Sequence, residues 1–275
     1  MMRIAATAAL TGGKDSVILY QGPFEETLPL IKEDCFDGVE LHLADSRAID
    51  RPALERLLKE LNLPLTSIGT GSAYGLYGYS LVHQDADIRR RTIAHLEEHM
   101  ITLAPWGGVI IIGLIAGRAS ECGAPLPVQK ERLAESLRTL DSLAGRYGVS
   151  VGLELINRYE AEFLYTIREG IAYLKEAGDL PHTSLHIDSA TLNIEESDIG
   201  AAIRAGKGWI GHVHLADNDR WYPGHAHYDF RETLQALKEI GYDGVLALEE
   251  KPRPDTRTAA RLSLQYLRAV EAVLH

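Results

Sequence analysis

The sequence predicts an α/β fold, a single closed (β/α)8 barrel over residues 1–275. Three observations predict it. Short β-rich apolar runs alternate with longer stretches whose apolar residues recur at helical spacing, the pattern of strand–helix units on a parallel sheet. There are eight of each, and 275 residues divided by eight give about 34 per unit, close to the repeat of a barrel of about 250 residues. No linker interrupts the alternation, so one domain is expected.

The strands are expected, in order, from Arg3 to Leu10, Gly38 to Leu43, Leu65 to Thr70, Gly108 to Leu114, Ser150 to Ile156, Ser184 to Asp188, Trp209 to Ala216 and Val245 to Glu249. Met1 to Leu10 lacks the cationic leader and cleavage site of a signal peptide, which is why it reads as the first strand. Helices are expected from Phe24 to Asp34, Pro52 to Leu61, Asp85 to Leu103, Val128 to Tyr147, Thr166 to Ala177, Glu195 to Ala205, Phe230 to Ile240 and Thr256 to Val273. An open doubly wound sheet would place a glycine-rich phosphate turn after an early strand. Thr11-Gly12-Gly13-Lys14 lacks that spacing and reads as a loop.

Composition narrows the function. A chain that is 45% hydrophobic and 24% charged, without a biased tract, is globular and excludes disorder, collagen and coiled coil. The net charge of −11 repels a phosphate-rich polymer, so nucleic acid is disfavoured. The apolar run from Val109 to Ala116 falls short of the roughly 18 residues of a membrane span. Cys35 and Cys122, far apart and without a Cys-x-x-Cys pair, read as free buried thiols in a reducing, cytoplasmic setting.

In a barrel of this type chemistry collects at the C-terminal strand ends. Four successive strands close there on ionisable groups: Gly152-Leu153-Glu154-Leu155-Ile156-Asn157-Arg158, His186-Ile187-Asp188, His212-Val213-His214-Leu215-Ala216-Asp217 and Leu246-Ala247-Leu248-Glu249-Glu250. Side chains two apart share a face, so small neighbours such as Gly152 and Ala247 are expected to leave room for a ligand. Glu154, Asp188, His214 and Glu249 follow one another at intervals of 34, 26 and 35 residues, about one repeat each, and would converge on one mouth. Three carboxylates together in a partly dry pocket repel, and a divalent cation is the simplest relief. Oxygen-rich ligation with one imidazole suits manganese, magnesium or cobalt better than a structural zinc, with zinc and iron still open. An acid ending a strand is also a common helix cap or ion-pair partner; the metal reading rests on four positions sharing one placement.

These segments resemble the xylose-isomerase-like TIM barrel superfamily of sugar and sugar-phosphate isomerases and epimerases, particularly ketose 3-epimerases and hydroxypyruvate isomerases. The similarity in layout covers almost the whole chain and is most specific between Val149 and Pro252, in the Glu154 strand, His212-Val213-His214-Leu215-Ala216-Asp217-Asn218-Asp219-Arg220 and the Glu249 strand. The resemblance implies one divalent ion, manganese first, held by Glu154, Asp188, His214 and Glu249. It makes Glu154 and Glu249 the acid/base pair on opposite faces of a sugar whose enediolate the metal stabilises. It also places Glu160 and Arg220 on substrate oxygens. Three residues after Asp188 the epimerases typically carry a histidine, whereas this chain has Thr191, which leaves the substrate open. The small-molecule partner is a sugar or sugar phosphate, and a homo-oligomer is the default for such relatives.

Rival readings remain. An inosose-type dehydratase would use the same enediolate to expel a β-hydroxyl. A metal-dependent abasic-site endonuclease fits poorly, because Ile68-Gly69-Thr70 and Ile112-Gly113-Leu114 carry no histidine. A non-catalytic sugar-binding barrel is the rival from another class. Among weaker signals, the Gly71 to Tyr79 segment reads as a lid or a plain surface loop, and Arg118 as a surface ion pair or an anion contact. His225 and His227 follow the seventh strand closely enough for His227 to add a substrate contact. Arg89-Arg90-Arg91 reads as a solvated or subunit-facing helix surface.

Overall fold

The structure is a computed structural model, which describes residues 1–13, 15–118, 120 and 123–274. Among them, nine parallel strands form one sheet: β1 (Arg3–Ala9), β2 (Tyr20–Gln21), β3 (Gly38–His42), β4 (Leu65–Gly69), β5 (Val109–Ile112), β6 (Ser150–Glu154), β7 (Thr183–Asp188), β8 (Ile210–Leu215) and β9 (Val245–Leu248). Strand β1 pairs with β3 on one side and with β9 on the other, from Arg3↔Val245 to Ala6↔Leu248, so the sheet closes on itself. An open doubly wound sheet is thereby excluded. The short β2, absent from the sequence reading, rides on the end of β1 through Ala8↔Tyr20 and Ala9↔Gln21.

Ten α-helices among the described residues surround the strands: α1 (Phe24–Glu33), α2 (Arg51–Glu60), α3 (Ser72–Tyr77), α4 (Ala86–Leu103), α5 (Leu126–Tyr147), α6 (Ile167–Ala177), α7 (Ser189–Glu195), α8 (Ile199–Ala205), α9 (Phe230–Glu239) and α10 (Thr256–Glu271). Their starts are written in the sequence. Asp50, Asp85, Asp198, Asp229 and Asp255 each accept a backbone N–H of the first turn, and Thr166 with Glu169 forms a capping box.

Alternation along the strands sorts residues into two layers. Ile4, Ala6, Ala8, Val39, Leu41, Val213, Leu246 and Leu248 join the apolar shell beneath the helices. The lumen differs from the usual stack of branched apolar side chains. It holds a small cluster of Ala5, Val245 and Ala247 beside the fully buried Glu40, Ser67 and His186.

Several expectations need correction. Strand β5 ends at Ile112 and gives way to a 3-10 turn at Leu114–Ala116. The helix expected from Glu195 to Ala205 starts later, as α8, because Asp198 caps it through the Ala201 N–H; before it lies an unexpected α7, capped by Asp188 through the Thr191 N–H and ended where Glu196 is extended. The Gly71 to Tyr79 segment, expected as a loop, contains α3. Cys35 is exposed, since it lies past the end of α1 at φ 68°; Cys122 and Lys14 lie outside the described residues. No helix among the described residues is long and apolar enough to cross a membrane.

Candidate active site

A cavity of about 360 Å³ opens at the C-terminal strand ends, lined by Glu154, Glu160, Thr191, His214, Arg220 and Glu249 together with His42, Gly69, Gly113, Leu114 and Ile156. Larger grooves exist elsewhere, one of about 580 Å³ near the start of β1 and one of about 590 Å³ between α1 and α10, but neither lies at the strand ends where the acids and imidazoles converge.

Oxygens of Asp188 and Glu249 and a ring nitrogen of His214 all lie within 4.8 Å of one another. Asp188 is fully buried at the end of β7 and uses one oxygen, Oδ1, to accept the Thr191 N–H at 2.9 Å. Its Oδ2 accepts Arg220 Nη1 at 2.7 Å, and the same nitrogen donates to Glu249 Oε2 at 3.1 Å. One guanidinium thus offsets two carboxylates. Arg220 reaches this position from a tight loop organised by Asp217, whose carboxylate accepts the backbone N–H groups of Asn218, Gly224, Ala226 and Tyr228.

Glu154, at the end of β6, fits because Gly113 has no side chain: a Cβ there would stand 1.9 Å from Glu154 Oε2. Gly69 makes the same allowance for the His42 ring, with a Cβ at 2.8 Å from its Cε1. The space expected beside Gly152 is not for a ligand. It receives the His186 and His212 Cβ atoms, at 3.4 and 3.9 Å from where a Gly152 Cβ would be.

The charges are uneven. Burial, with Glu249 and Asp188 close by, pushes the Glu154 carboxyl up to about 8. Burial would also raise Glu249, but His214 and Arg220 outweigh it and hold that group at about 2. Burial keeps His186 and His212 neutral, whereas Glu40 and Glu249 hold His214 above its usual range against the same burial. Ionising Glu154 beside Asp188 and Glu249 would set three negative charges against Arg220 and His214, a repulsion that a divalent cation would relieve. An independent observation agrees. His214 Nδ1 is buried without a hydrogen-bond partner, 3.5 Å from Glu249 Oε2, so a lone pair or proton is stranded where ligand atoms gather. Three carboxylates and one imidazole suit a hard or borderline divalent ion.

Of the residues singled out from sequence, Glu154, Glu160, Thr191, His214, Arg220 and Glu249 share the cavity wall, and Asp188 joins them through Arg220. Glu160 is held by Asn157, whose Nδ2 donates to it at 3.0 Å. His227 is not brought in; it is exposed on the loop, with its N–H on Asn218. His225 stacks on Trp221 and bonds Asp219. Arg118 forms no ion pair among the described residues, and its Nε is buried without a partner. Glu40 and His42 are absent from the residues that the sequence singles out. The signal was an acid and an imidazole two apart in Gly38-Val39-Glu40-Leu41-His42, which alternation sends into the lumen.

The xylose isomerase-like TIM barrel family model matches residues 29–270. The chain belongs to that family. Within it, the barrel resembles L-ribulose 3-epimerase of Mesorhizobium japonicum, at 31% identity over 83% of this chain and 76% of that protein. It also resembles 3-dehydro-D-guloside 4-epimerase of Escherichia coli, at 30% identity over 88% of this chain and 93% of that protein. Among solved structures, apo 3-keto-D-glucoside 4-epimerase from E. coli matches at a TM-score of 0.83 and 27% identity, over 98% of this chain and 100% of that one. These relatives are epimerases of sugars.

Proposed function

We propose that the chain is a divalent-cation-dependent epimerase that inverts a carbon next to the carbonyl of a sugar. The observation that carries this reading is the gathering of Asp188, His214 and Glu249 within 4.8 Å at a cavity that Glu154 also lines, with no hydrogen bond at His214 Nδ1. Those four residues would hold the cation, manganese first. When bound, it supplies Lewis acidity that makes the C–H next to a ketone easier to ionise.

The protein's own groups do the rest. Glu154 or Glu249 takes the proton from the carbon next to the carbonyl, and the other returns one from the opposite face, which inverts the centre. Delivery to the neighbouring carbon instead would give ketose–aldose isomerisation. Arg220 turns its guanidinium toward the carbonyl oxygen, where developing negative charge is stabilised. Glu160, Thr191 and the backbone around Gly69 accept or donate to hydroxyls and fix which carbon faces the acids.

Two substrate classes follow from the relatives, free ketoses and 3-keto glycosides. The guloside epimerase alignment spans more of both chains, which favours including 3-keto glycosides in any trial. The test incubates Mn²⁺-reconstituted protein in deuterated water with ketoses, ketose phosphates and 3-keto glycosides and locates deuterium by NMR. Deuterium at the inverted carbon is expected. Binding without exchange at any carbon would make the protein a sugar-binding barrel instead.

A further inference from the structure

Glu40 crosses the lumen from β3 to meet residues 172 and 174 positions away on β8. It is fully buried and accepts four hydrogen bonds. On Oε1 they come from His42 Nε2 at 2.9 Å and His214 Nε2 at 2.8 Å, and on Oε2 from His212 Nε2 at 2.8 Å and Ser67 Oγ at 2.6 Å. An ionised carboxylate only accepts, so each of these imidazoles must carry its proton on Nε2. For His214 this decides what the other side of the ring can do. With Nε2–H committed to Glu40, the ring plane is fixed and Nδ1 faces Asp188 and Glu249, unpartnered.

We propose that Glu40 is a positioning residue for the cation site: by holding Nε2–H it fixes the His214 ring and leaves Nδ1 as the nitrogen that faces the metal. The inference rests on the cation reading above, and it deepens that reading by giving the barrel floor a task. A carboxylate on the far nitrogen of a liganding imidazole both orients the ring and makes it a better donor. The same bonds bear on the other candidate ligand cluster, His186 with His212 and His214. Two of its three Nε2 atoms are engaged by Glu40, so the cation belongs with Asp188 and Glu249 and not beneath them.

The test compares the wild type with Glu40→Gln and Ser67→Ala. A carboxamide has one accepting oxygen and one donating nitrogen, so it cannot receive N–H bonds at both ends as Glu40 does. Ser67→Ala removes a bond from the same carboxylate while leaving all three imidazoles in place. Histidine-selective ¹⁵N NMR of the wild type, metal-free and Mg²⁺-saturated, is expected to show Nε2 protonated at His42, His212 and His214, with His214 Nδ1 unprotonated when Mg²⁺ is bound. Mn²⁺ affinity is expected to fall about 10–100-fold in Glu40→Gln. In Ser67→Ala it is expected to stay within about threefold, even if both variants melt earlier. A bare Nε2 on wild-type His214 overturns the inference, and so does an unchanged Mn²⁺ affinity in a folded Glu40→Gln. If that variant does not fold, the wild-type spectrum decides. A wild type with Nε2–H on His214 but no Mn²⁺ binding overturns the cation reading itself, and the positioning role with it.

Discussion

Gly113 gives the sharpest handle on Glu154. A methyl group at this position would stand 1.9 Å from Glu154 Oε2 and 3.1 Å from its Cδ, where ordinary contact begins at 3.4 Å, so the carboxylate must withdraw by about 1.5 Å. The obstructing atom is the far end of a flexible side chain and not backbone, so that contact is relieved by moving one group. The cost then falls on chemistry. Misplacing a reacting group by about 1 Å costs about 10²-fold in rate, or roughly 2.7 kcal/mol of barrier. The assay is solvent-deuterium incorporation into a sugar that the wild type exchanges, run beside a thermal melt and a Mn²⁺ titration. We expect exchange to drop about a hundredfold in a variant that still unfolds cooperatively, and Mn²⁺ to bind more weakly because Glu154 is one of the proposed ligands. Exchange within threefold of wild type would show that the position of Glu154 is immaterial, and the acid/base assignment would fail.

Further outcomes follow from the same geometry. Glu154→Gln and Glu249→Gln should each lower turnover by at least about 10², the usual share of a positioned acid or base, measured as kcat on the same sugar; near-normal turnover in either excludes it from proton transfer. Mn²⁺ at a hundred times its Kd should stabilise the chelator-treated protein by about 2.7 kcal/mol in urea unfolding, and a transition indifferent to both chelator and Mn²⁺ argues against a resident cation. Arg220→Met leaves Asp188 and Glu249 facing each other. The variant should melt earlier than wild type without Mn²⁺ and recover part of the difference with it; an equal deficit in both conditions speaks against charge compensation. Away from the site, burial and the neighbouring His95 push His99 down to about 3 from the usual 6.5. The unfolded chain therefore binds the extra proton first, so stability is full above pH 6.5 and declines toward pH 3 at up to about 1.4 kcal/mol per unit. His99→Gln should flatten that decline in urea titrations at pH 7, 5 and 4, and an unchanged slope would assign it to other groups.

The barrel was legible because its parallel strands are buried on their outer faces and four in succession close on ionisable groups, two signals that survive in a single sequence. Glu154, Asp188, His214 and Glu249 stood out for that reason. Glu40 did not, because apart from His42 its partners lie on β4 and β8, and no local spacing joins it to them. The later start of α8 was written in Asp198, a helix-capping residue near the beginning of the expected helix, but apolar periodicity runs across it. Gly152 misled for a related reason: a missing side chain marks vacant volume in the chain, and only the neighbouring strands decide that Val109 and His186 fill it. His227 was placed by its nearness to β8 in sequence, yet the turn built on Asp217 carries it outward.

Asp188 divides its two oxygens between different tasks. Oδ1 terminates a helix and Oδ2 faces the charged cluster, so the same residue serves folding and function. An asparagine there would keep the helix start and lose the charge, whereas an alanine would forfeit both and add a capping loss of about 1 kcal/mol. Any remodelling of this mouth toward a new substrate therefore begins with one position held twice over, and the freedom to change lies at Thr191, Leu114 and Ile156 around it.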